Sequence, residues 1–138
     1  MTIIAKTPVS KKPNLYSDFH KDLRVSPISK DIALLKDEDA VKQSIKNLIL
    51  TDPGERLMQP FIGGGVRGLL FENITPGVLK VIESRCRDTI NTYETRAELI
   101  NVTASSSYDD NTVNVFIQFY IKNVDRPITL DLILERIR

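Results

Sequence analysis

The chain is 138 residues long, enough for one domain whose core needs no metal or disulfide to hold it. Its 19 basic and 18 acidic side chains leave a net charge of +1. That balance excludes the basic excess of a general nucleic-acid binder and gives little pull toward an anionic membrane. Hydrophobic residues make up 41% and charged residues 27%, the proportions of an ordinary globular chain. No apolar run approaches the roughly 18 residues of a membrane-spanning helix, and the first residues lack the apolar stretch of a signal peptide.

In chain order, Met1 to Asn14 carries Lys6, Lys11, Lys12, Pro8 and Pro13 and reads as an extended arm; residues 15–138 read as one domain. Tyr16 to Leu23 is a short amphipathic segment in which Ser17 or Asp18 could cap a brief helix, with Phe19 and Leu23 four apart on one face. Beyond Pro27, the cluster Ile32, Leu34 and Leu35 suits a short strand. Asp37 to Thr51 is the first strong helix. Asp37 or Asp39 can cap it, Val41, Ile45, Leu48 and Ile49 form one buried face, and Pro53 and Gly54 stop it.

Glu55 to Phe61 suits a turn or short helix, Gly63 to Gly65 a tight or flexible loop, and Val66 to Phe71 a further short helix. Thr75 followed by Pro76 opens a second strong helix running to Tyr93. Val78, Leu79, Ile82, Cys86, Ile90 and Tyr93 mark its buried side, and Lys80, Glu83, Arg85, Arg87 and Asp88 its solvated side. The remainder is β. Glu98 to Ala104 forms one strand, Ser105 to Asn111 a polar connection, and Val113 to Lys122 the clearest period-two alternation of the chain. Asn123 to Pro127 makes a turn before the last strand, built on Ile128, Leu130, Leu132 and Leu134. The expected fold class is α+β, with N-terminal helices packed on a three-stranded antiparallel β meander. Such a meander leaves two edges, each open to a partner strand or blunted by charge.

Chemistry-bearing patterns are sparse. The single cysteine, Cys86, allows no internal disulfide and sits at helical spacing from Ile82 and Ile90, as a small buried apolar residue does. One cysteine and one histidine, His20, make no metal site by spacing, and no cofactor is expected. Gly63 to Gly65 lacks the Lys-Ser/Thr that follows a phosphate loop. Glu55, Glu72 and Glu94 are the only candidates for glycosidase carboxylates, and arginines near Glu55 and Glu94 favour ionised side chains, wrong for a general acid. The chain is therefore not expected to be an enzyme.

Two charged motifs remain. Thr51-Asp52-Pro53-Gly54-Glu55-Arg56 joins a helix stop to an opposite-charge pair. Tyr93-Glu94-Thr95-Arg96 lies where the long helix hands over to the first strand. One reading is charge compensation at helix ends. The other is an arginine–carboxylate pair that fixes the corner and presents a surface to a partner.

At these motifs the sequence resembles the small baseplate wedge proteins of contractile-tail phages, a family that includes the baseplate component of type VI secretion systems. The shared pattern runs from Val41 to Glu72: an amphipathic helix, Thr51, Gly54-Glu55-Arg56, Pro60, the glycines 63–65 and Leu70-Phe71-Glu72. The second hallmark, Tyr-Glu-Pro-Arg, is Tyr93-Glu94-Thr95-Arg96 here. Thr95 replaces the proline, so the charge pair is kept and the fixed φ is lost. The resemblance extends over roughly Tyr16 to Arg138. It implies a structural sheath initiator in the virion's tail baseplate, assembled in the host cytoplasm in six copies. Its implied partners are other wedge proteins and the tail sheath subunit, with tail tube or hub proteins as further candidates and neither nucleic acid nor membrane. The implied contacts are Gly54, Glu55, Arg56, Tyr93, Glu94 and Arg96 for the wedge helices, and Ile128, Leu130 and Leu132 for strand addition by the sheath. A lysozyme-like tail enzyme is the alternative, because some family members carry that label.

Overall fold

The computed structural model describes residues 15–107, 112–122 and 124–135. Among them the order is β1 (Ser17–Phe19), β2 (Leu34–Lys36), α1 (Glu38–Leu50), α2 (Val66–Leu69), α3 (Pro76–Tyr93), β3 (Ala97–Ser107), β4 (Thr112–Ile121) and β5 (Pro127–Glu135). The arm over Met1 to Asn14 and the turn at Asp109 to Asn111 lie outside the described residues. The α+β expectation holds: helices lie on one face of an antiparallel meander ordered β3-β4-β5.

The core forms where period-3.6 and period-two patterns meet. From α1 come Val41, Ile45, Leu48 and Ile49, and from α3 Ile82, Cys86 and Ile90. Alternate residues of the sheet close against them: Val102 and Ala104; Val113, Val115, Ile117 and Phe119; Ile128, Leu132 and Leu134. Burying a side chain of this size contributes about 1.5–3 kcal/mol, so this single layer dominates the stability of the fold. The long helix starts as its sequence indicates, with Pro76 in the first turn and the Thr75 hydroxyl accepting the Val78 N–H at 3.3 Å.

Several local expectations are corrected. Tyr16 to Leu23 forms no helix; its centre is β1, paired antiparallel with β2 in the register Asp18 to Leu35. Phe19 and Leu23, expected on one buried face, are both exposed. The short strand expected around Leu34 is present as β2. Asp37 stands at the N-cap of α1 with φ +46° but caps nothing with its side chain. Its carboxylate instead accepts the N–H groups of Leu15 and Tyr16, at 2.8 and 3.1 Å, which ties the β1–β2 unit to the start of α1.

Ser105 to Ser107, assigned to a connection, continue β3. A bulge between Leu99 and Asn101 shifts its register, so Ala97, Val102 and Ala104 face inward while Ile100 is exposed. Glu83, placed on the solvated side of α3, is buried.

Candidate functional site

The two charged motifs converge on one cleft of about 380 Å³, between the end of α1, the loop after it and the α3–β3 corner. Ser44 and Asn47 of α1, Arg56 of the loop, and Tyr93 to Arg96 of the corner line it. The corner is locked from within. Arg96 Nε and Nη2 donate to Glu94 Oε1 and Oε2 at 2.6 and 2.7 Å, a bidentate pair that fixes both side chains. Glu94 is only 3% exposed.

Burial works to raise its pKa, but the hydrogen bonds from Arg96 and Ser44 and the arginine charge outweigh it and hold the carboxyl below its usual range. The guanidinium also lies over the Tyr16 ring, 5.6 Å from its centroid, joining the N-terminal strand to the corner through a cation–π contact. The pair holds this turn although Thr95 offers no fixed φ.

The Gly54-Glu55-Arg56 motif is built differently. Glu55 does not pair with Arg56; its Oε2 accepts the Asp52 N–H at 2.9 Å. Gly54, at φ +91°, donates its N–H to Pro60 O at 2.7 Å and closes the loop. Gly63, at φ +139°, packs so tightly on Thr51 that a Cβ would collide with its carbonyl oxygen, which makes the glycine run a tight turn. From α3, Tyr93 Oη donates to Phe61 O at 2.9 Å and staples the loop to the corner. Arg56 lines the cleft without an ion-pair partner among the described residues. Leu57 and Met58, each 96% exposed, and Phe61, 85% exposed, project from the same loop.

Gly54, Glu55, Arg56, Tyr93, Glu94 and Arg96 are thus brought together. Ile128, Leu130 and Leu132 are not part of this cleft. They lie on β5, where Ile128 and Leu132 turn into the core and Leu130 is half-buried beside a second cleft. Ser44, Tyr16 and Glu83 were not anticipated. Ser44 and Tyr16 act across long sequence separations that local spacing does not reveal. Leu57, Met58 and Phe61 did leave a signal: three large apolar side chains in a segment with no periodicity to bury them.

Hydrolytic chemistry finds little support in this geometry. A general acid must hold its proton near working pH, whereas Glu94 is an ionised, doubly bonded carboxylate. Burial, with the Glu83 charge adding, pushes the Cys86 thiol up to about 12, too high for a nucleophile. Among the described residues no cluster of three or more metal-ligating side chains occurs, and no helix is long and apolar enough to cross a membrane.

A family model described as baseplate wedge protein gp25 matches residues 35–125. The baseplate wedge protein gp25 of Enterobacteria phage T4 is 30% identical over 113 residues, 82% of this chain and 83% of that protein. Among solved structures, a candidate tail lysozyme from Geobacter sulfurreducens superposes with a TM-score of 0.69 at 25% identity, over 78% of this chain and 97% of that one. A chain of the anti-feeding prophage baseplate gives 0.62 at 27% identity, over 89% and 87%. A chain of the type VI secretion baseplate complex gives 0.54 at 13% identity, over 69% and 91%, a likeness of fold alone.

Proposed function

The chain belongs to the baseplate wedge protein gp25 family, and from that premise we propose that it grips neighbouring wedge proteins at its helix-to-sheet corner and offers a strand edge to the first ring of tail sheath. It is a structural component of a contractile-tail baseplate, located in the tail of the virion. The finer reading rests on one observation above all. The meander is covered by helices on one side and ends in strand edges, with β5 hydrogen-bonded by its backbone to β4 alone among the described residues. Such an edge is a template for main-chain pairing.

The corner supplies the grip. Glu94 and Arg96 neutralise each other and hold the cleft's shape, while Arg56 and the projecting Leu57, Met58 and Phe61 remain for a partner. An apolar projection beside an uncommitted arginine has the composition of an interface anchor. A baseplate assembly assay with Glu94→Ala and Arg96→Ala tests this: wedge incorporation is expected to fall in both, and normal assembly by both variants overturns the proposed contact. Electron microscopy of purified tails, locating the chain against the first sheath ring, tests the strand-edge role.

The Geobacter sulfurreducens neighbour keeps a peptidoglycan-cleaving reading in view. A cell-wall turbidity assay comparing the wild-type chain with Glu55→Gln and Glu94→Gln separates the two. Lysis that disappears in either variant would replace the structural assignment.

A further inference from the structure

The two edges of the meander are chemically unequal, and the phase of the ladder shows how. In an antiparallel sheet, a residue that turns its N–H and C=O away from one neighbouring strand turns them toward the other side. Ala104 sets the phase, because its N–H donates to Glu83 Oε1 at 2.9 Å and so faces out of the sheet. Its partner Val115 therefore faces β5, and Leu132, opposite Val115, faces back to β4. By alternation Ile128, Leu130 and Leu134 also face β4. The backbone groups left pointing outward on β5 are those of Thr129, Asp131 and Ile133. On β3 they are those of Val102, Ala104 and Ser106.

On the β3 side, α3 lies alongside and the buried Glu83 carboxylate occupies the Ala104 N–H while Lys80 Nζ holds its other oxygen at 2.8 Å. A strand arriving there must displace a carboxylate that is already hydrogen-bonded and ion-paired, leaving a charge without its partner. On the β5 side, no group of the described residues takes the outward N–H or C=O of Thr129, Asp131 or Ile133. Beside that edge, a cleft of about 220 Å³ carries Leu130 and Leu35 with His20, Lys42 and Lys46 around it. A strand laid along β5 would place its inward side chains over this cleft, because side chains alternate across the sheet.

Building on the strand-addition reading above, we propose that β5 is the docking edge and that Glu83 closes β3 to it. The occupant is an extended segment of the sheath subunit. It pairs through the amides of Thr129, Asp131 and Ile133 and sets an apolar side chain against Leu130 and Leu35. Glu83 thereby acts as a specificity-determining residue that makes addition one-sided.

Proline at an outward-facing position removes an edge donor without breaking the ladder behind it. Asp131→Pro is expected to keep a native melt and enter baseplates, yet to lower the yield of sheathed tails about tenfold, the scale of a lost hydrogen bond with its acceptor left unmatched. Ser106→Pro, the matched change on β3, is expected to leave sheathing unaltered. Loss of sheath in Ser106→Pro but not in Asp131→Pro overturns the edge assignment while leaving strand addition intact. Full sheathing in both, with both incorporated, overturns strand addition itself.

If Asp131→Pro does not fold, Thr129→Pro carries the same test. Amide exchange on the wild-type chain adds a readout free of substitutions. The segment 127–135 is expected to gain protection in sheathed tails over bare baseplates, with 97–107 unchanged. The opposite pattern overturns the assignment.

Discussion

The corner between α3 and β3 and the loop between α1 and α2 use the same two residue types to opposite ends. At the corner, Glu94 and Arg96 close on each other, and the glutamate is 3% exposed. In the loop, Glu55 turns to a backbone N–H and Arg56 is left to the cleft. The difference follows from spacing and surroundings. A two-residue offset across a chain reversal lets an arginine fork reach both carboxylate oxygens. Adjacent residues diverge, and the loop's own orphaned N–H competes for the acid. One pair thus serves structure, while the other motif keeps a charge available.

This contrast can be broken at its strongest point first. Glu94→Ala leaves Arg96 unpaired in a half-buried position and should destabilise the isolated chain by about 2–3 kcal/mol, below the range for fully buried pairs. Urea denaturation measures it, and a cost near zero would remove the corner's structural role.

Acid should act next, with a defined sign. Hydrogen bonding holds Glu94 and Glu83 below the ordinary value of 4.5. Each therefore contributes stability that is complete above 4.5 and is lost as pH falls through the lower folded-state value. Thermal melts from pH 7 to 3 should show this loss, and Glu83→Gln should flatten it. An equally steep acid limb in that variant would mean the loss lies elsewhere.

The staple between the two regions is weaker. Tyr93→Phe removes the hydroxyl that reaches Phe61 O and should cost about 0.5–1.5 kcal/mol, with faster amide exchange over residues 54–62. Smallest of all, Arg56→Ala should change stability by no more than about 0.5 kcal/mol, while baseplate incorporation drops. A stability loss as large as that of Glu94→Ala would erase the distinction between the two motifs.

Much of this was legible in the chain itself. The faces of α1 and α3, the Thr75-Pro76 start and the alternation of β4 and β5 follow from side-chain periodicity, which a sequence displays directly. Phe19 and Leu23 misled because a four-residue spacing is necessary for a helix face but does not create one. Pairing with Leu34 and Leu35, together with the Asp37 carboxylate, drew the segment into a strand instead. Glu83 misled because its charge suggests solvent, whereas a nearby Ala104 N–H and Lys80 make its burial tolerable. The candidate site was visible as two motifs but not as one cleft. Tyr93 and Phe61 lie 32 residues apart, and nothing local announces that they meet.

Periodicity and end signals by themselves determined which segments are helical, which are strands and which side of each is apolar, because those properties depend on neighbours a few residues away. The tertiary structure alone decided that Glu94 is buried with Arg96, that Arg56 is uncommitted, and that β3 is closed by Glu83 while β5 stays open. Each depends on which hydrogen-bonding groups of distant segments come within 3 Å, and that is set only when the helices settle on the sheet.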